Sequence, residues 1–135
     1  MGRNTEIWLL LLLPLLLLLN GCQAAQSTFA NTAGNAGAAF SAASTTLSYT
    51  HEGKITEAYA RSSFINFQSE LNGLDQSLPS QNGTPDRLTM QHLLMLYHKA
   101  MQIINVPCLQ MTCDWHNQLA TLDQASEAFL KAGGQ

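Results

Sequence analysis

Along most of the chain, apolar residues recur in alternating steps of four and three, the spacing of a stripe down one face of a helix. The cleanest run is Ala60, Phe64, Phe67, Leu71, Leu74 and Leu78, which predicts a helix from about Ile55 to Ser77 that stops before Pro79. A second stripe, Met90, Leu94, Tyr97, Met101 and Ile104, is widened by Leu93 and Ala100. Thr84 stands as its N-cap. Pro85 takes the first helical position, where a missing N–H costs nothing, and Asp86 the first turn. Pro107 ends this helix near Ile104 or Asn105, because the residue before a proline avoids the α region. A third stripe is Trp115, Leu119, Leu122, Ala125 and Phe129. Asp114 or Thr112 can cap it, Lys131 falls in its last turn, and Gly133-Gly134 supplies the stop.

The stretch Gln23 to Thr46 is less decided. Its Ala, Ser, Thr, Asn and Gly content suits a flexible tether. Yet Phe29, Ala33, Ala36, Phe40, Ala43 and Leu47 keep the four-three spacing. Gly34 and Gly37 weaken a helix there by roughly 1 kcal/mol each relative to Ala. The pattern is read as a tether to about Ser27, then a weaker helix whose small-residue face allows close packing. Tyr49 to Lys54 is a turn candidate, with Gly53 free to take positive φ. A rival reading makes Thr45–Thr50 and Ile55–Tyr59 a β-hairpin, against which the helical stripe from Ala60 argues.

Together these elements predict an all-α fold. It is a small antiparallel bundle of three strong helices plus a weaker Ala/Ser-rich N-terminal one. Each helix has roughly twenty residues and is about 30 Å long. Short connections favour up-down-up-down order. The expected core is Phe64, Phe67, Leu71, Leu74, Leu94, Tyr97, Met101, Ile104, Trp115, Leu119, Leu122 and Phe129. Tyr59 and Tyr97 are expected to bury their rings and keep their hydroxyls at the rim. His51 and His116 are read as surface residues.

Ahead of these stripes, Ile7 to Leu19 reads IWLLLLLPLLLLL, an uncharged apolar run. It is shorter than the roughly 20 residues of a membrane-spanning helix and fits the hydrophobic region of a signal peptide, about 7–15 residues. The run ends in Leu19-Asn20-Gly21-Cys22. This tetrapeptide resembles the lipobox of bacterial lipoproteins, with Leu19 at −3, Gly21 at −1 and Cys22 as the lipidated residue. The resemblance implies a signal peptide over 1–21, cleavage before Cys22, and a diacylglycerol thioether on Cys22. A lipidated tether over 22–27 and one domain over 28–135 would follow. It places the protein at the cell envelope, anchored to a membrane on its extracytoplasmic side. In a bacterium with two membranes, Gln23 after the lipidated cysteine implies the outer one. The competing reading is cleavage after Ala24 or Ala25 and release of a soluble protein.

The 135 residues suffice for one domain. Six Lys and Arg against nine Asp and Glu argue against nucleic acid as a partner. With Cys22 assigned to the anchor, Cys108 and Cys113 remain, and in an oxidising compartment a disulfide is the default. It would fix the corner between the last two helices.

Catalytic patterns are sparse. There is no G-x-S-x-G elbow, P-loop or dinucleotide fingerprint. Glu57 and Glu70 could in the abstract form a carboxylate pair, but nothing around them supports it. The most specific chemical pattern is soft. Met90, His92, Met95, His98 and Met101 crowd one predicted helix, followed by Cys108, Met111, Cys113 and His116. Thioether, thiolate and imidazole suit Cu(I). Against that, Met90 and Met101 lie on the apolar stripe, where methionine is ordinary core filling. Lys99 would also repel a cation. The chain is therefore read as non-enzymatic, with no cofactor and no assigned metal site. Its expected role is a binding or assembly module held to a membrane by its lipid, with a protein partner of unknown identity. An envelope copper-binding protein is the alternative.

Overall fold

The computed structural model describes residues 27–135, and the expected signal segment over 1–21 and Cys22 lie outside them. The described residues form a four-helix, all-α bundle without strands. Helix α1 spans Thr28–His51, α2 Glu57–Leu71, α4 Arg87–Asn105 and α5 Trp115–Ala132. Between α2 and α4 lie a four-residue turn of helix, α3 (Leu74–Ser77), and a 3-10 turn, Leu78–Ser80. In the bundle α1 lies between α2 and α5, and α4 closes the ring on the other side. The order is up-down-up-down, as the short connections predict.

Each long helix starts on a side-chain cap. Ser27 Oγ accepts from Ala30 N at 3.1 Å, and Thr56 Oγ1 from Tyr59 N at 3.2 Å. Asp86 and Asp114 do the same for Thr89 N (3.4 Å) and Asn117 N (3.2 Å). Such caps satisfy one of the amides that a helix leaves unpaired at its start.

The N-terminal stretch is helix from Thr28 onward, and it contributes more buried residues than any other helix of the bundle. Phe29, Ala33, Ala36, Phe40, Ala43 and Leu47 are all buried. The small-residue face brings α1 close to α5: a Cβ built on Gly37 would lie 2.7 Å from Leu130 N. Ser126 Oγ donates to the Gly37 carbonyl at 2.9 Å, and Ser44 Oγ to Asp123 Oδ1. Phe40 anchors the centre, edge-on to both Phe129 and Tyr97.

Several boundaries differ from the sequence expectation. The helix predicted over Ile55–Ser77 ends at Leu71, because Gly73 turns the chain with φ 81°. Its apolar stripe nevertheless continues in space, since Leu78 is fully buried in the 3-10 turn. Helix α4 is capped by Asp86 rather than Thr84, so Pro85 precedes the helix instead of opening it. The hairpin reading fails because α1 runs on through His51 and the turn lies between Glu52 and Thr56. Of the expected core, Phe67, Leu74, Leu94, Trp115 and Leu119 are partly buried against the core rather than inside it. Tyr59 is 63% exposed, so its ring is not in the core. Tyr97 is buried with its hydroxyl, which donates to Leu71 O at 2.7 Å. Burial, first of all, pushes the Tyr97 phenol above its ordinary pKa.

Candidate functional site

The corner between α4 and α5, Val106 to Asp114, is the most elaborately held non-helical segment. Pro107 forces the chain out of α4. The Cα atoms of Cys108 and Cys113 are 5.8 Å apart and their sulfurs stand at bonding distance. Cys108 is buried at 5% exposure, whereas Cys113 is exposed.

Two side chains grip the backbone of this corner. Gln118, one turn into α5, accepts from Cys108 N at 2.7 Å and donates to Val106 O at 3.3 Å. Its amide thus satisfies both a donor and an acceptor that the broken helix would leave open. From the far side, His51 Nε2 donates to Cys108 O at 2.7 Å. A carbonyl only accepts, so the proton sits on Nε2. The other ring nitrogen, Nδ1, is buried and has no hydrogen-bond partner.

The His51 ring also stacks on Trp115, with centroids 4.2 Å apart and planes 5° from parallel. His116 stacks on Trp115 as well, at 3.8 Å and 29°. The indole thereby links the end of α1 to the first turn of α5. His51, expected at the surface, is instead a structural tie. Nothing in the periodicity marks Gln118, which clamps the corner from a polar position.

The charged groups around this end pair with each other. Glu52 meets Lys54 at 2.7 Å, and Lys54 Nζ lies 4.7 Å over the Tyr49 ring. The hydrogen bond from Lys54, followed by that from Ser48, holds the Glu52 carboxyl below its ordinary pKa. Glu57 pairs with Arg61 on α2. Glu70 is thirteen residues further along, about 20 Å at 1.5 Å per residue, so these two carboxylates do not face one substrate. Exposed apolar side chains stand at the same end, notably Val106 at 74% and Met111 at 80%.

The sulfur- and imidazole-rich residues of α4 are dispersed. Met90 and Met101 are in the core. His92 lines an open groove of about 570 Å³ between α4 and α5, with Leu93, Glu127 and Lys131. His98 turns the other way, 3.9 Å from Asp75. Among the described residues, no three or more His, Cys, Asp or Glu side chains converge as metal ligands. Also among the described residues, no helix is long and apolar enough to cross a membrane.

No protein-family model matches the chain, and neither does any curated protein or solved structure.

Proposed function

We propose that the chain is a lipid-anchored protein of the cell envelope that acts on the extracytoplasmic side of its membrane by binding a protein partner or assisting its assembly. The single observation that carries this reading is the apolar run Ile7–Leu19 closing on Leu19-Asn20-Gly21-Cys22. Two or three acyl chains on Cys22 would hold the domain stably, where one would hold it only marginally. Two features of the bundle support the reading. Cys108 and Cys113 stand ready to be joined, as an oxidising compartment favours. The histidines that come nearest to a chemical constellation, His51 and His116, are engaged with Trp115 and the corner backbone, a structural use. The reading is therefore non-catalytic and needs no cofactor.

Metabolic labelling with palmitate tests it. Wild-type protein should carry the label and partition into the detergent phase, and Cys22→Ala should lose both. An unlabelled wild type cut after Ala24 or Ala25 would overturn it.

A further inference from the structure

Resting on the lipid-anchor reading above, we infer that one end of the bundle lies on the phospholipid headgroups, with Leu88 as its apolar contact. Cys22 stands five residues before Ser27, the cap of α1. Five residues reach at most roughly 18 Å. Helix α1, with 24 residues, is about 36 Å long at 1.5 Å per residue. The tether is too short to fold back along it, so the anchor fixes which end is near the membrane.

That end is defined by contacts. Phe29 N donates to Asn82 O at 3.1 Å, and Gly83 lies against the Ser27 side chain. The start of α4 therefore sits beside the start of α1. Here Leu88, in the first turn of α4, is 73% exposed. Unlike Leu93 and Leu94 on the same helix, it is not packed against the core. Arg87, next to it, is also exposed and offers a cation to phosphate. The neighbouring Asp86 carboxylate is taken up by the Thr89 hydroxyl and amide. The loop from Ser80 to Thr84 beside it carries no charge at all. An exposed leucine flanked by an arginine and a neutral polar loop is the composition of a shallow interfacial contact. The His51–Trp115 corner is at the opposite end, facing away from the membrane.

The test uses the processed protein, beginning at lipidated Cys22 and so free of Trp8, reconstituted into phosphatidylethanolamine–phosphatidylglycerol vesicles with or without brominated acyl chains. Trp115 reports the far end. L88W adds an indole at the near end, read as the difference from wild type, at a position exposed enough to accept it. The added emission should be blue-shifted and lost to bromine quenching, while Trp115 emission stays unchanged. Unquenched added emission, in protein that floats with the vesicles and carries the acyl mass, would overturn the contact and leave the anchor intact. Quenching of Trp115 as well would overturn the proposed orientation. Protein that neither floats nor carries acyl mass would fail the anchor reading itself, and this inference with it.

Discussion

His51 and Trp115 lie face to face, 4.2 Å between centroids and 5° from parallel, although they are separated by three intervening helices in sequence. The contact is the closing tie of the bundle, because the same imidazole also donates to Cys108 O. It predicts that His51→Ala destabilises the domain by about 1–3 kcal/mol, one hydrogen bond plus one stacked pair. Denaturant unfolding at neutral pH measures this. A change within error would mean that the corner holds itself.

The α1–α5 contact makes a sharper prediction at Gly37. Alanine is normally better than glycine in a helix by roughly 1 kcal/mol. Here its Cβ would sit 2.7 Å from Leu130 N and 2.8 Å from Leu130 Cγ. Gly37→Ala should therefore destabilise, by about 1–3 kcal/mol as overpacking does. Adding Leu130→Ala relieves the side-chain clash but not the clash with backbone. The double variant should stay below Leu130→Ala alone in thermal unfolding. A gain over that single variant would show that the helices can part at no cost.

Much of this packing was legible in advance. The four-three spacing from Phe29 to Leu47 marked a helix inside a composition that also suited a tether, and Ser27 does cap it. What the spacing could not show was where the chain leaves a helix while its stripe goes on. Leu74 and Leu78 keep the period of Phe64 and Leu71, yet Gly73 turns the chain between them. Periodicity records which residues face the core, and a stripe can be continued by a new turn as well as by the same helix. At the corner, Cys108 and Cys113 were readable as a pair. His51 and Gln118 were not, because both act on backbone atoms of the corner, outside their own helices.

Asp86 gives a pH-dependent prediction. Hydrogen bonds from the Thr89 hydroxyl, and then from its amide, hold the carboxyl below its ordinary pKa. Its folded pKa is thus lower than its unfolded one. The stabilisation it brings is full above the unfolded carboxylate pKa and is lost as pH falls through the folded value. Asp86→Ala should lower the melting temperature at neutral pH, and the gap to wild type should narrow in acid. A gap independent of pH would assign the loss to something other than the ionised cap.

Joining Cys108 to Cys113 closes a short loop, so the chain-entropy gain is modest, roughly 2 kcal/mol. Reduction should lower the melting temperature by several degrees. Because Cys113 is exposed and Cys108 buried, an alkylating reagent added to the reduced, folded protein should label Cys113 first. Two thiols free before any reductant is added would discard the bond, and first labelling at Cys108 would contradict the burial difference.

The central claim is the anchor, and the mass of the intact protein extracted from its own membrane tests it most directly. The account predicts a chain that begins at Cys22, carries two or three acyl groups, is two hydrogens light for the Cys108–Cys113 bond, and holds no metal. A chain that begins at Gln26 or Ala25 without lipid would contradict the anchor. Bound copper with reduced cysteines would contradict the clamp and favour a metal carrier.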